Sequence, residues 1–427
     1  MLFTTGGSLQ VLILAAGKGT RMKSPNPKVL FEIAGFPMLF HVMKAFEGIK
    51  GVNKINVLTG YRSDLIREKI SPLFPETSFY LQKEQLGTGH AVKCFIDEKT
   101  VQDEDIFIAC GDTPLLKKEE LEEFATFHKE NKNVLSVMSM SPEDPFGYGR
   151  IMTEENVPVE IIEEKDADND QKKIRRVNSG IYIIKESFIR ECIDKIDTDN
   201  SQGEFYLTDL VRLCYEKGLS SGVFEGNIHN LEGINDIKAL SLARKEIHRR
   251  INEKLMLSGV DIYDPESTFI DLDVEIEADV KILPFTVIKS GSFIESGSSI
   301  GPFARLRQGS LVGKRCKIGN FVETKKAVFK DGVKASHLSY IGDSVIGKGT
   351  NIGAGTITCN YDGKNKFKTV IGEDVFIGSN TSLIAPVKID DNSKIGAGSV
   401  ISKDVPEYSL SYSRAKQSIK KNHFRRK

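Results

Sequence analysis

The 427-residue sequence predicts an α/β domain with a Rossmann-like, mostly parallel sheet, followed by a left-handed parallel β-helix. Two observations support this fold class. Up to about residue 235, short apolar runs alternate with helical patterns and glycine-containing turns. Over residues 270–318, and again over 371–401 in a new phase, an aliphatic residue recurs at every sixth position. A chain of this length can bury two separate cores.

Five short apolar runs in the first part of the chain predict the strands of the α/β sheet. They cover residues 10–16, 54–59, 105–109, 134–140 and 180–184. Residues 236–257 then place apolar side chains at close to helical spacing, with charged residues between them. We therefore expect an α/β domain over 1–235, a linker helix over 236–257, and a β-helix domain with a C-terminal tail over 258–427.

The six-residue repeat is the main indication of the second domain. A first run of aliphatic positions comprises Ile270, Ile276, Ile282, Ile288, Ile294, Ile300, Leu306, Val312 and Ile318. A second run, in a new phase, comprises Ile371, Ile377, Leu383, Ile389, Ile395 and Ile401. One inward aliphatic residue per six is typical of a triangular coil with three short strands. We expect the phase slips at 318–346 and 352–371 to be insertions, the second a projecting loop around 360–366. The alternative is a structural solenoid without chemistry.

Composition favours small-molecule partners. Lysine plus arginine equals aspartate plus glutamate, at 59 each, so no net field would attract nucleic acid or anionic lipid. The apolar run 11–16 is too short for a signal peptide or a membrane span. Six cysteines without C-x-x-C spacing argue against a disulfide framework or a zinc site. We expect a cytoplasmic protein that binds no nucleic acid and has no membrane span.

A glycine-rich turn after the first predicted strand indicates a phosphate site. Glycines in Gly17-Lys18-Gly19 allow backbone N–H groups to approach a phosphate, while Arg21 and Lys28 supply positive charge. The pattern matches neither the kinase-type P-loop nor the dinucleotide fingerprint. Without the two basic residues, a purely structural turn would be an equal alternative.

Two further features suit a nucleotide site. The amides of Gln82 and Gln85, in a glycine-rich segment, suit the donor and acceptor edge of a pyrimidine. Asp112 follows the predicted strand 105–109, which places a carboxylate where α/β sheets bind ligands. Its oxygens suit magnesium, whereas the alternative is a turn former or helix cap.

The order of motifs along nearly the whole chain resembles one enzyme family. These motifs are Gly17–Arg21, Lys28, Gln85–Gly89, Gly111-Asp112, Tyr148–Arg150, Asn178–Gly180 and Gly233–Asn235, then the hexapeptide repeat with its densest matches at 301–307 and 351–363. They resemble the bifunctional N-acetylglucosamine-1-phosphate uridyltransferases/glucosamine-1-phosphate N-acetyltransferases. The resemblance implies Mg²⁺ as cofactor, UTP and acetyl-CoA as co-substrates, and a homotrimer. The implied product is UDP-N-acetylglucosamine, which serves bacterial envelope synthesis.

In the first domain, the resemblance implies that Arg21 and Lys28 act on the phosphates and that Asp112 and Asn235 hold the metal. Gly149, Glu163 and Asn178 would hold the sugar. The full set implied to bind UTP or the nucleotide sugar is Leu14, Ala15, Ala16, Gly17, Gly19, Lys28, Gln82, Gln85, Gly87, Thr88, Gly149, Glu163, Asn178 and Asn235.

In the second domain, the resemblance implies that His337 is the catalytic base, because its segment 334–340 matches the family's catalytic segment. An isolated histidine would otherwise be a surface or packed residue. The residues implied to bind glucosamine-1-phosphate are Arg305, Lys325, Tyr340, Asn351 and Lys366. Those implied to bind acetyl-CoA are Ala354, Asn360, Tyr361, Ser379, Ala397 and Arg414. A backbone N–H or the Ser379 hydroxyl would stabilise the oxyanion.

Two departures from the family pattern and two rival functions remain. The stretch before Arg305 is shorter than expected, by one or two coils, and Cys110 stands where an aromatic residue is commoner. One rival is a nucleotidyltransferase for another sugar or nucleotide, with an inactive or differently specific β-helix. The other is a non-catalytic assembly protein, which could dispense with Arg21, Lys28, Asp112 and His337.

Overall fold

The computed structural model describes residues 9–100, 104–421 and 423. Residues 1–8, 101–103, 422 and 424–427, which include most of the C-terminal tail, lie outside the described residues. The chain divides into two compact units, Met1–Arg244 and Lys245–Lys427. Among the described residues, no helix is long and apolar enough to cross a membrane.

The first unit is built from an α/β sheet and its covering helices. Its strands are β1 (Leu9–Ala15), β2 (Glu32–Ile33), β3 (Phe36–Pro37), β4 (Val52–Thr59), β5 (Ser78–Leu81), β6 (Asp105–Cys110), β7 (Leu135–Met140), β8 (Arg150–Glu154), β9 (Val157–Ile162), β10 (Val177–Lys185) and β11 (Ser221–Glu225). Its helices are α1 (Met38–Phe46), α2 (Ser63–Ile70), α3 (Thr88–Glu98), α4 (Lys118–Glu130), α5 (Glu186–Cys192), α6 (Asp209–Glu216) and α7 (Ile228–Leu231), and α8 (Ile237–Leu257) contains the boundary between the units.

The main sheet has the strand order β11-β7-β10-β6-β1-β4-β5. The central strand β1 is parallel to β4 and β6, whereas β10 is antiparallel to both of its neighbours. All five predicted strands are present as β1, β4, β6, β7 and β10, so the mostly parallel α/β sheet is confirmed. The sequence did not predict β5, β11 or the hairpin β8–β9, which pairs with β10.

The sheet is buried on both faces, as a helix-covered sheet requires. Along β1, Val11 and Ile13 belong to one apolar cluster, and Leu12 between them belongs to the other. Strand β1 is also hydrogen-bonded on both sides, to β4 and to β6. Because Leu14 pairs in register with Cys110, the loops that follow β1 and β6 leave the sheet at the same edge.

The second unit is a parallel β-helix with three sheets. The first sheet contains β12 (Asp261–Ile262), β15 (Lys281–Ile282), β18 (Ser299–Ile300), β21 (Lys317–Asn320), β24 (Lys334–His337), β27 (Asn351–Ile352), β30 (Phe376–Ile377), β33 (Lys394–Ile395) and β35 (Leu410–Ser411). The second contains β13 (Phe269–Ile270), β16 (Val287–Ile288), β19 (Arg305–Leu306), β22 (Glu323–Lys325), β25 (Tyr340–Gly342), β28 (Ile357–Cys359), β31 (Ser382–Ile384) and β34 (Val400–Ile401). The third contains β14 (Glu275–Ile276), β17 (Phe293–Ile294), β20 (Leu311–Val312), β23 (Val328–Phe329), β26 (Ser344–Ile346), β29 (Thr369–Ile371) and β32 (Val387–Ile389).

The hexapeptide repeat explains this stacking. Ile282, Ile300 and Ile318 pair in successive coils, eighteen residues apart, so each coil contains three six-residue sides. The predicted inward aliphatic residues are buried, except for the partly exposed Ile276. The predicted left-handed parallel β-helix is therefore confirmed.

The first phase slip is not an insertion, and that expectation was wrong. Thr324 pairs with Ile341 and Phe329 pairs with Ile346, in each case seventeen residues apart, so these coils are one residue short. The missing residue is at the corner between the second and third sheets, where a tighter turn still closes the coil. The second slip is an insertion as expected, because Ile346 pairs with Ile371, twenty-five residues later.

We predict that Ile318→Ala destabilises the β-helix by about 2–5 kcal/mol, because it leaves a cavity in a close-packed coil. Ile318 is fully buried in β21. Urea unfolding of the full-length chain measures the loss. Lys317→Ala, at the exposed neighbouring position of the same strand, is the matched control and should change the unfolding free energy by less than about 0.5 kcal/mol. Equal effects of the two substitutions would contradict the inward assignment.

Candidate active sites

The loop after β1 brings Lys28 close to the sheet edge because Gly19 has no side chain. Gly19 adopts a left-handed conformation with φ +61°, and a Cβ there would lie 2.7 Å from Cβ of Lys28. The loop after β6 is anchored beside it, since the Gly111 N–H donates to the Leu14 carbonyl at 2.9 Å. The predicted residues Ala15, Ala16 and Gly17 form the end of β1 and the start of this loop.

Four predicted phosphate and metal residues converge at this edge. Lys28 forms an ion pair with Asp112, and its Nζ also donates to Oδ1 of Asn235 at 3.2 Å. Arg21 donates to the same Asn235 oxygen at 2.9 Å. The Ile234 N–H donates to the Asp112 carbonyl at 2.8 Å and thereby holds the Asn235 segment against the loop after β6.

The donor set of this cluster fits magnesium. Asp112 offers a carboxylate and Asn235 offers an amide oxygen, both directed at the same Lys28 ammonium group. Mg²⁺ is commonly held by one or two protein oxygens together with substrate phosphates and water. No group of three or more His, Cys, Asp or Glu in the described part of the chain could hold a metal by itself. An ion at this site would therefore need oxygens from a ligand.

The predicted sugar residues also lie together. A Cβ on Gly149 would lie 3.4 Å from Oε1 of Glu163, and the Asn178 N–H donates to the Gly149 carbonyl at 2.9 Å. Burial raises the pKa of Glu163, Asp166 raises it further, and the nearby Thr208 hydroxyl opposes the shift. A half-buried carboxyl beside a backbone turn can accept hydrogen bonds from sugar hydroxyls.

Three neighbours of this sugar cluster were not predicted as site residues. Tyr182 receives a 2.6 Å hydrogen bond from Asn178, and burial, followed by Glu163, raises its pKa well above the usual value. Tyr148 is more than half-buried, and burial together with Glu232 and Asp112 raises its pKa. Cys110 lies against Gly180, and burial raises its pKa to about 12. Tyr148 could have been found from the Tyr148-Gly149-Arg150 motif, and Cys110 from its departure from the family pattern, whereas Tyr182 required the fold.

The predicted base-binding segment is held by backbone contacts. Nε2 of Gln82 donates to the Gly87 carbonyl at 3.0 Å, and Nε2 of Gln85 donates to the Gln82 carbonyl at 3.1 Å. Thr88 begins α3, and its hydroxyl accepts a 3.0 Å hydrogen bond from the Leu207 N–H. The Thr88 side chain therefore supports the loop from the segment around Leu207.

In the second unit, one corner of the β-helix aligns several predicted residues. His337 is the last residue of β24 and therefore lies at a corner of its coil. In the preceding coil, Asn320 pairs with His337 and occupies the same corner. The strand register places Ala354, Ser379 and Ala397 at the equivalent position in the next three coils. Two backbone hydrogen bonds between coils agree with this register: the Asn380 N–H donates to the Ala354 carbonyl, and the Gly398 N–H donates to the Ser379 carbonyl. At about 4.8 Å per coil, this row extends about 14 Å from the exposed His337. Arg414 donates to the Ala397 carbonyl at 3.1 Å.

A second cluster contains the predicted phosphate-binding cations. Lys325 lies beside Lys366, and the contact with Lys366, burial and Arg307 together lower the pKa of Lys325, whereas Asp343 raises it. Lys366 belongs to the projecting loop, in which Tyr361 and Lys366 form an antiparallel bridge. The projecting loop predicted from the sequence is thus present. Two cations this close together are favourably placed for a dianionic ligand.

The remaining predicted residues lie on other strands and turns of the same unit. The Tyr340 hydroxyl and the Asn360 amide both lie over Gly342, since a Cβ there would be 2.6 Å and 2.9 Å from them. Asn351 pairs with Lys334 in β24, the strand that ends at His337. Arg305 is exposed on β19. The sequence missed Arg307, although it lies in the predicted 301–307 motif, and Asp343, which accepts a hydrogen bond from Asn360.

Fold and site together define a nucleotidyltransferase joined to a hexapeptide-repeat transferase. Residues 10–230 match the family described as Nucleotidyl transferase, and residues 368–403 match the Bacterial transferase hexapeptide family (six repeats). Residues 288–385 also match the GMPPB C-terminal domain. The first match covers most of the α/β unit, and the other two lie within the β-helix unit.

Whole-length relatives identify the family. The chain is 44% identical to the bifunctional protein GlmU of Fervidobacterium nodosum and 41% identical to that of Clostridioides difficile, in each case over 98% of this chain and 98% of the relative. The chain belongs to the bifunctional GlmU family and is a bifunctional enzyme with nucleotidyltransferase and acetyltransferase activities. The first alignment spans 455 residues, more than the 427 of this chain, so the relative contains residues without a counterpart here. That the missing residues are coils before Arg305 stays a prediction.

We predict that Lys366→Met shifts the pH range of sugar-phosphate binding upward. The lowered pKa of Lys325 means that it loses its charge at a lower pH than an ordinary lysine, so affinity should fall as pH rises through that pKa. Removal of Lys366 raises the Lys325 pKa again, although it also removes one cation. Calorimetric titration with glucosamine-1-phosphate across alkaline pH measures both effects.

Lys364→Met, on the exposed part of the same loop, is the matched control and should leave the pH profile unchanged. A Lys366→Met profile with the same midpoint as the wild type would contradict the coupling between Lys325 and Lys366.

Proposed function

We propose that this enzyme makes UDP-N-acetylglucosamine in two steps through the named residues of its two units. The second unit acetylates glucosamine-1-phosphate with acetyl-CoA, and the first unit transfers uridylate from UTP to the resulting N-acetylglucosamine-1-phosphate. The observation that carries the proposal is the convergence of Arg21, Lys28, Asp112 and Asn235 at one sheet edge. The corner row that begins at His337 supports the acetylation step.

Uridylyl transfer joins two polyanions, so charge neutralisation is the main task of the site. A phosphate oxygen of the sugar phosphate attacks the α-phosphorus of UTP, a new P–O bond forms, and the bond to the β-phosphate breaks with release of pyrophosphate. Lys28 and Arg21 would stabilise the negative charge that develops on the α-phosphate and on the departing pyrophosphate. The flexibility of Gly17 and Gly19 would let backbone N–H groups approach the same phosphates.

Asp112 and Asn235 are the residues that would hold Mg²⁺. Bound there, the ion would neutralise phosphate charge and orient the two reacting phosphates. Lys28 now occupies the space between the two oxygens, and its ammonium group would turn to the phosphates when substrate binds. Gly149, Glu163 and Asn178 would hold the sugar hydroxyls and the N-acetyl group, and Gln82, Gln85, Gly87 and Thr88 would contact the base.

Acetyl transfer requires a base, because the substrate amine is protonated at neutral pH. His337 would accept a proton from the substrate amine, and the amine nitrogen would attack the carbonyl carbon of the thioester. The C–N bond forms, the C–S bond breaks, and the CoA thiolate leaves and is protonated. Lys325, Lys366 and Arg305 would hold the sugar phosphate, with Tyr340 and Asn351 beside it.

The corner row suits an elongated donor such as acetyl-CoA. Ala354, Ser379 and Ala397 lie at successive levels beyond His337, and Arg414 lies at the far end. Small side chains along the row leave room for the pantetheine chain, and Arg414 supplies charge for its phosphates. Asn360 and Tyr361, in the projecting loop that follows β28, would also contact the donor. A backbone N–H or the Ser379 hydroxyl would stabilise the oxyanion.

We further propose a cytoplasmic homotrimer. The described cysteines are all free thiols, as in a reducing compartment. On the surface of the β-helix, Phe285, Phe303 and Phe321 stack with ring centroids 4.8 Å and 5.1 Å apart and remain about half exposed. An exposed aromatic ladder of this kind is typical of a surface that another subunit covers.

We predict that Asp112→Ala abolishes uridylyl transfer and leaves acetylation intact, whereas His337→Ala does the reverse. The Asp112 substitution removes a metal and charge partner, and the His337 substitution removes the base, so each affected step should fall by about 10²–10⁴-fold. Separate initial-rate assays of the two reactions provide the measurement. Loss of both activities in one well-folded variant would contradict separate sites.

The two reactions and their order can be tested by mass spectrometry of protein incubated with glucosamine-1-phosphate, acetyl-CoA, UTP and Mg²⁺, with each reagent omitted in turn. We expect UDP-N-acetylglucosamine, and N-acetylglucosamine-1-phosphate alone when UTP is withheld. Uridylylation of added N-acetylglucosamine-1-phosphate without any acetylation would favour an inactive or differently specific β-helix. Absence of both steps would favour the non-catalytic assembly protein.

We predict that Phe303→Glu lowers the native mass from three chains to fewer, because it places a charge in the middle of the aromatic ladder. Native mass spectrometry gives the assembly state directly. Phe146→Glu, at a three-quarters exposed phenylalanine of the first unit, is the control and should leave the trimer intact. A wild-type monomer would contradict the proposed assembly.

A further inference from the structure

Both amide protons of Gln82 are engaged within the protein. Its Nε2 donates to the Gly87 carbonyl at 3.0 Å and lies 3.1 Å from Nδ1 of His90. A carboxamide has two N–H donors and one acceptor oxygen. Oε1 of Gln82 is therefore the atom of this amide that remains for a ligand.

The Gly87 carbonyl determines the orientation of the Gln82 amide. A carbonyl oxygen accepts hydrogen bonds and cannot donate, so the nitrogen end of the amide must face it. Gly87 itself is held in place, since it adopts φ +107° and a Cβ there would lie 2.5 Å from the Phe205 carbonyl. That carbonyl also accepts a 2.8 Å hydrogen bond from the Gly89 N–H. The segment is thus a rigid support for Gln82, which is only 3% exposed.

His90 reinforces this orientation from the first turn of α3. Because its Nδ1 faces a Gln82 N–H group, Nδ1 must act as the acceptor, which places the ring proton on Nε2. Nε2 lies 3.7 Å from Sγ of Cys94, one turn later in the same helix. The ring also packs against Phe205, with centroids 6.3 Å apart. His90 is thus held between Gln82 and Cys94.

We propose that His90 is a positioning residue that makes Gln82 an acceptor-only contact and so selects uracil over cytosine. Uracil carries an N–H at ring position 3, whereas the same atom of cytosine is an acceptor. Oε1 of Gln82 can therefore accept a hydrogen bond from the ring N–H of uracil. In cytosine it would face an acceptor nitrogen, with which it cannot form a hydrogen bond. A site that leaves buried polar groups unpaired rejects the wrong ligand. This inference rests on the proposed function, in which Gln82 contacts the base of UTP.

The test is nucleotide discrimination by His90→Phe, which keeps an aromatic ring beside Phe205 but removes the acceptor for Gln82. The readout is kcat/KM for UTP and for CTP, each with N-acetylglucosamine-1-phosphate. One neutral hydrogen bond corresponds to a factor of up to about ten. We expect the UTP-to-CTP ratio of kcat/KM to fall by about three- to tenfold.

His90→Asn is the rescue variant, because its side-chain oxygen can occupy the place of Nδ1 and accept the Gln82 N–H. We expect it to retain most of the wild-type ratio. Cys94→Ala is the matched control on the same helix, since it removes the neighbour of Nε2 but keeps the Nδ1 acceptor, and its ratio should equal that of the wild type. Thermal unfolding of each variant tests its fold, and His90→Leu, which also lacks an acceptor, replaces His90→Phe if the phenylalanine variant does not fold.

A purely structural role for His90 would lower kcat/KM for UTP and CTP by the same factor. An unchanged ratio in His90→Phe, or a His90→Asn variant with a ratio as low as that of His90→Phe, would overturn the inference. If the wild type uses UTP and the ratio stays constant in the variants, only the role of His90 fails. If the wild type transfers no uridylate from UTP, the proposed function fails together with this inference.

Discussion

The ion pair between Lys28 and Asp112 is the interaction on which the proposed nucleotide site depends. Neither group is fully buried, with side-chain exposures of 15% and 20%, so each can exchange its partner for a ligand. Asn235 completes the group through a single oxygen that accepts from both Lys28 and Arg21. In the structure, Lys28 and Arg21 are thus paired with the oxygens of Asp112 and Asn235. A triphosphate would take over the cations, and the released oxygens of Asp112 and Asn235 suit a divalent ion.

In the second unit, the equivalent constraint is the close repeat of the β-helix. Each coil places the same corner position about 4.8 Å above the last, so His337, Ala354, Ser379 and Ala397 form a row although they are far apart in sequence. The two one-residue shortenings fall near Lys325 and Asp343. The insertion that carries Lys366 lies in the following coil. The irregular coils thus contain many of the predicted site residues, among them Lys325 and His337, as is common where a regular scaffold carries a site.

Much of the fold could be predicted because its signals are periodic. The strands around β1 are dense apolar runs, and the hexapeptide positions repeat without a break from Ile270 to Ile318. Strands β5, β8, β9 and β11 were missed because they are short or partly exposed and lack a strong apolar run. The first phase slip was misread because a change of phase alone does not distinguish a gained residue from a lost one. Only the pairing of Thr324 with Ile341 distinguishes them.

The sequence by itself determined the residue types and their local setting: glycine beside basic residues after a strand, a carboxylate at a strand end, and one aliphatic residue in six. The tertiary structure decided which of these groups meet. Arg21 and Asn235 are 214 residues apart yet share a hydrogen bond, and no local pattern encodes such a contact. It likewise decided that Tyr182 lies beside Asn178, and that Gln82 presents an oxygen and not an N–H group. The direction of a hydrogen bond depends on its partner, and the fold supplies that partner.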